Sequence, residues 1–185
     1  MIGTFHNVLE FWFAEGMARN WFGGHDAFDA EVKERFGSTL QAAAAGQLED
    51  WKETVDGRLA LIIVLDQFSR NIHRDDAAAY DNDPAALALA QHAFRMGDDL
   101  WLKTYRPDDW RTFLYLPFMH SEDLEDQRRC LELYQMHGPE HGVVHARHHL
   151  DIVARFGRFP HRNAILGRDS TPEELAFLAV KEIAG

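Results

Sequence analysis

Three groups of residues have types and spacing suited to chemistry. The first is the stretch "RFGRFPHRNAILGR", Arg155 to Arg168, with four arginines and a histidine among Gly, Pro and Asn. A guanidinium is a planar fork of donors that matches a carboxylate or a phosphate. Arg158, Arg162 and Arg168, with His161 and Asn163 beside them, therefore read either as grips on an anionic ligand or as internal partners for acids such as Asp66, Glu122, Asp123 and Asp126. The second group, in "DQFSRNIHR", is Asp66, Gln67, Arg70 and Asn71. Asp66 and Arg70 stand at i,i+4 in the favourable acid-first order, and Asn71 is placed to cap a helix or to orient a ligand. The third is His120, Ser121 and Glu122. Ser121 can cap a helix, and Glu122 suits a helix N-terminus. As chemistry, His120, Glu122 and His161 are candidates for acid–base work, which requires hydrogen-bond reach to a substrate.

Other signatures point to nothing. His141, His145, His148 and His149 fall on one stretch at spacings of four, three and one. Two His at i,i+4 can hold a metal, but no third ligand is placed and the HExxH pattern is missing, so no metal is expected. The chain has no G-x-S-x-G elbow, no Walker loop and no G-x-G-x-x-G, so no cofactor is expected. Cys130 is the one cysteine; it sits among apolar neighbours in "CLELY" and reads as a small buried hydrophobe. The aromatic stripe Trp12, Phe13, Trp21 and Phe22 reads as core.

The balance of 30 acidic against 19 basic residues, net −11, argues against nucleic acid as a partner. A local basic pocket for a small anion or peptide carboxylate stays compatible with it. No apolar run approaches the ~18 residues of a membrane span, and "MIGTFHNVLEFWF" lacks a basic leader region. A soluble, cytoplasmic protein with no membrane partner is expected, with homodimerisation open.

The elements that must position these residues read as helical nearly throughout. Phe5, Val8, Leu9, Trp12 and Phe13 recur at helical spacing, and Phe28, Val32, Phe36 and Leu40 follow an N-terminal Asp26. "LALIIVL", Leu59 to Leu65, fits a buried strand or a buried helix. Its continuation into "DQFSRN" and the lack of a partner strand favour helix. Asp83–Pro84 starts another helix and Gly97 ends it. "WRTFLYLPFMH" is aromatic-rich, with Pro117 as a kink or stop. Helices follow over residues 121–137 and 140–157, and Thr171 to Glu174 forms a capping box with Pro172 at the first position. The expectation is one all-α domain over residues 1–185, with about seven helices and no sheet.

The motifs "LDQFSRNIHR", "AYDNDPAALALA", "YLPFMHSEDLEDQ" and "RFGRFPHRNAILGRDSTPEELAFL", in that order and with "VLEFWF" at the start, closely resemble the bacterial DUF924 family over nearly the whole chain. The resemblance implies a tetratricopeptide-like stack of antiparallel helix pairs and no assigned reaction. One departure is Ser69, where the family usually carries a proline. Two functional expectations follow. One is a binding module whose Arg70, Arg158, Arg162 and Arg168 grip a small anion, oriented by Asp66, Asn71, Asn163 and His161. The other is a small-acid hydrolase or lyase using His120, Glu122 or His161. A purely structural scaffold, with these groups as buried polar seams, is the third alternative.

Overall fold

The computed structural model describes residues 2–23, 26–138 and 140–183. Among them the chain forms nine helices, several short 3₁₀ turns and no strand. The helices are α1 (Phe5–Trp12), α2 (Asp26–Ala44), α3, α4 (Asp83–Arg95), α5 (Asp98–Tyr105), α6 (Asp108–His120), α7 (Leu124–His137), α8 (Glu140–Phe156) and α9 (Pro172–Ile183). α3 is one rod made of Val55–Ile63, a π turn over Val64–Phe68 and a last turn Ser69–Ile72. None is long and apolar enough to cross a membrane.

"LALIIVL" is helical, and the reason is where it sits. Every residue from Gly57 to Ser69 is buried, because α1, α2, α4 and α6 pack around α3 on several sides. A helix enclosed in this way shows no amphipathic stripe, so its periodicity is silent. Phe68 of α3, with Trp12, Phe28, Phe36 and Phe113 around it, forms the aromatic centre of the core. A second, smaller cluster of Ile152, Val153 and Phe159 lies under the C-terminal part, with Phe156 and Phe177 against it.

The two helices beyond the expected seven are α5 and α6. In α5, Asp98 and Asp99 look like surface residues, yet both are buried. Asp98 accepts two hydrogen bonds from Arg58, at 2.6 and 2.7 Å, and Asp99 accepts the Tyr115 hydroxyl. In α6, Pro117 neither stops the helix nor caps it; the helix runs on to His120. The proline stands in the last turn, where it removes a single i→i−4 bond. Ser121 is not the cap of α7. Asp123 is, accepting from the amides of Glu125 and Asp126, while Ser121 Oγ accepts from the Asp123 amide and donates to Asp126.

Candidate functional site

The π turn of α3 builds the first wall. A π turn leaves backbone carbonyls without their usual i+4 amides, and here side chains take them. Ser69 Oγ donates to the Leu65 carbonyl at 2.7 Å, and Arg70 Nη1 donates to the Asp66 carbonyl at 2.8 Å. Ser69 also accepts from Asn82 Nδ2 at 3.0 Å, a bond that a proline at this position would not make.

Asp66 is 1% exposed. Its Oδ1 accepts from Arg70 Nη1 at 3.0 Å and lies 2.7 Å from His120 Nδ1, and its Oδ2 accepts from Gln67 Nε2 at 2.5 Å. Burial pushes the Asp66 pKa up. Arg70, His120 and Gln67 together outweigh it and hold the carboxyl well below the usual carboxylate range.

His120 ends α6, where three successive carbonyls would be left without amide partners. Gln127, fully buried, donates to the carbonyls of Met119 and Ser121 at 2.7 and 2.6 Å. Arg162 Nη2 donates to the His120 carbonyl between them at 2.9 Å. The backbone under His120 is thus pinned from two sides. Burial first, then the Arg70 charge, push the imidazole below its ordinary pKa against the pull of Asp66. A neutral ring beside an ionised Asp66 donates from Nδ1, which leaves Nε2 as the acceptor.

Arg70 continues the network outward. Its Nη1 and Nη2 reach Asp83 Oδ1 and Oδ2 at 2.9 and 3.0 Å. Arg162 reaches the same Asp83 only weakly, at 3.3 Å. The Arg162 guanidinium lies between the rings of Tyr80 and Phe159, 4.6 and 4.7 Å from their centroids. Its Nε is buried without a hydrogen-bond partner, and burial, followed by the Arg70 charge, lowers its pKa.

These side chains border a cleft of two lobes. The larger, about 420 Å³, is lined by Gln67, Arg70, Asn71, Arg74 and His120 on one side and by His141, His145 and His149 of α8 on the other. Trp21, Phe22, Leu116 and Met119 complete it on the apolar side. The smaller, about 290 Å³, is lined by Arg162, His161, Tyr80, Phe159 and Asp75. Arg70, Arg74, His120 and His149 line both lobes. His149 Nδ1 donates to the His145 carbonyl at 2.9 Å, and burial is the main cause that pushes its pKa down to about 4.

The carboxylates that balance the arginines do not line the cleft. Asp66 and Asp83 sit behind Arg70, and Asp29 of α2 takes Asn71 Nδ2 at 2.7 Å and the Arg74 guanidinium. None of the three is on the wall of either lobe; among the described residues Asp75 is the one acid that is. Among the described residues no group of three or more His, Cys, Asp or Glu is arranged to hold a metal ion.

The candidates from the sequence therefore divide. Asp66, Arg70, Asn71, His120, His161 and Arg162 converge at the cleft or directly behind it. Glu122, Arg158, Asn163 and Arg168 are engaged elsewhere. Arg168 donates to both Glu122 oxygens at 2.7 and 3.0 Å, to Asn163 Oδ1 at 3.0 Å and to the Phe159 carbonyl. Glu122 Oε1 also accepts the Phe159 amide at 2.7 Å. Against the push of burial, Arg168 and that amide hold Glu122 below its ordinary pKa. Arg158 is bidentate to Glu174, at 2.6 and 2.8 Å, and Glu174 closes the Thr171 capping box of α9. Half of "RFGRFPHRNAILGR" is thus a brace that holds Phe159 and Arg162 in place. Asp83, Arg74, Tyr80 and Gln127 escaped notice in the sequence; Asp83 was legible there only as a helix start. Trp21 and Phe22, expected in the core, border the cleft, and Phe22 is 64% exposed.

A family model described as "Bacterial protein of unknown function (DUF924)" matches residues 8–182. A solved structure, described as a protein of unknown function from Agrobacterium tumefaciens, is 42% identical, with a TM-score of 0.87 over 94% of this chain and 96% of that one. No curated protein matches the chain.

Proposed function

Because the chain belongs to the DUF924 family, whose description assigns no activity, we propose its function from the cleft: it is a binding module for a small anion carrying a carboxylate or phosphate. The observation that carries this reading is the arrangement of charge. In a chain of net charge −11, Arg70, Arg74 and Arg162 line the cleft while Asp29, Asp66 and Asp83 stand off its walls. Such a surface attracts an anion although the network as a whole is balanced. Arg162, stacked between two rings with only a weak carboxylate contact, is suited to gripping a ligand oxygen. We further propose that the helices stack as tetratricopeptide-like antiparallel pairs. The close approach of α7 and α8 at Gly142 supports this, since a Cβ there would meet the Tyr134 ring.

Titration calorimetry with acetate, succinate and inorganic phosphate tests the reading. At least one should bind wild-type protein, and Arg162→Ala should weaken it at least tenfold at a temperature where circular dichroism shows the variant folded. No binding by any of the three, or an Arg162→Ala protein that binds as well as wild type, overturns it.

A second reading, acid–base chemistry on the bound acid, is favoured by one specific contact. His120 Nδ1 lies 2.7 Å from the buried Asp66 carboxylate, which orients the ring and leaves Nε2 as a base. His161 lines the adjoining lobe with His120 and is the candidate for a second proton-transfer group.

A further inference from the structure

We infer that the anion taken by this cleft carries an apolar body: a monocarboxylate with an aliphatic or aromatic chain, its head at the arginines and its chain in the larger lobe. This rests on the anion-binding reading above and specifies the ligand class.

The two lobes differ in chemistry. The smaller is bordered by Arg162, His161 and Asp75, whereas the larger has a side made of Trp21, Phe22, Leu116 and Met119. The polar atoms on that side are already engaged. The Trp21 indole has one donor, and it goes to the Trp12 carbonyl at 2.9 Å, so the ring offers only apolar surface. The Tyr134 hydroxyl and Thr112 interact with each other. Met119 is a flexible side chain that fills irregular gaps around differing ligands. Phe22 is 64% exposed at this position, where it can cover an apolar chain. A volume of about 420 Å³ falls within the usual range for small-molecule pockets. A zwitterionic amino acid fits less well, because among the described residues no carboxylate lines the larger lobe to meet its ammonium. The seam between the lobes, where Arg70 and His120 line both, is where a carboxylate head and an apolar chain would each meet the matching surface.

Calorimetric titration with acetate, butyrate, hexanoate and 4-phenylbutyrate, with hexan-1-ol as the neutral control, tests this. Kd should fall by roughly fourfold per added methylene, the ratio that ~0.8 kcal/mol per buried CH₂ corresponds to, and the alcohol should bind at least tenfold more weakly than hexanoate. Phe22→Ala, a change at an exposed site, should reduce the gain in affinity from butyrate to hexanoate. If acetate and hexanoate bind equally, the apolar-body proposal is wrong while the anion reading stands. If no carboxylate binds, the apolar-body proposal is wrong and the anion reading stands or falls with inorganic phosphate; if hexanol binds as tightly as hexanoate, both fail.

Discussion

Asp66→Asn isolates the charge at the centre of the network, because it keeps the shape of the side chain. The carboxylate is 1% exposed and takes three side-chain hydrogen bonds, from Arg70, His120 and Gln67. The amide oxygen can still accept from Arg70 and His120, now without a negative charge, and Gln67 can turn its own amide to match. Each bond weakens by ~1 kcal/mol when its charge is removed, so the gross loss is about 3 kcal/mol. Relief from burying an ion offsets part of it. Its sign is fixed by the depressed pKa of Asp66: the attractions exceed the cost of burial. A net loss of about 2 kcal/mol lowers the melting temperature of a chain this size by roughly 4–8 °C. The carboxylate's share of stability is present above about pH 4, the ordinary aspartate value, and is lost as pH falls through its depressed folded value. His120 supplies an independent readout. Asp66 pulls the His120 pKa upward, so in Asp66→Asn the imidazole should titrate still lower. Urea denaturation at pH 7 and an NMR titration of the His120 ring measure the two effects. A variant as stable as wild type, or one whose His120 titrates higher, refutes the account of the pair.

Two further expectations concern the frame around the cleft. Arg168→Ala removes every donor to Glu122 except the Phe159 amide, and should cost about 2 kcal/mol; a melting curve unchanged from wild type would show that this brace holds nothing. Gly142→Ala sets a Cβ 2.1 Å from Tyr134 Cε1, against a ring that is itself buried. Overpacking there should destabilise by about 1–3 kcal/mol despite the ~1 kcal/mol by which alanine favours a helix interior, as urea denaturation would show; a stabilised variant would mean that the ring moves freely.

The helical class was legible from patterning, and so were the Asp66–Arg70 pair and the Thr171–Glu174 box, because each depends on residues three or four apart. The family was legible from the order of its motifs. What escaped was set by tertiary partners. α5 was missed because its buried Asp98 and Asp99 look solvated until Arg58 and Tyr115 are seen opposite them. Asp83, 13 residues from Arg70 and 79 from Arg162, reads locally as no more than a cap. The arginines of "RFGRFPHRNAILGR" look alike in sequence, and only their neighbours separate the braces Arg158 and Arg168 from Arg162 at the cleft. Trp21 and Phe22 share the composition of the core aromatics, and only their greater exposure, at the edge of the core, separates them.

The π turn at Val64–Phe68 has a consequence for how the site can be gained or lost. A wide turn of this kind holds one residue more than an α-helical turn would, so the extra residue is absorbed within the turn and the helix after it keeps its phase. What the turn changes is local: the Leu65 and Asp66 carbonyls accept from Ser69 Oγ and Arg70 Nη1. Excising one residue there would restore ordinary i→i+4 bonding and leave the helix beyond the turn facing as before, while Asp66 and Gln67, inside the turn, would shift against His120. A relative that has lost this one residue would be expected to keep the architecture and rearrange the contacts of Asp66.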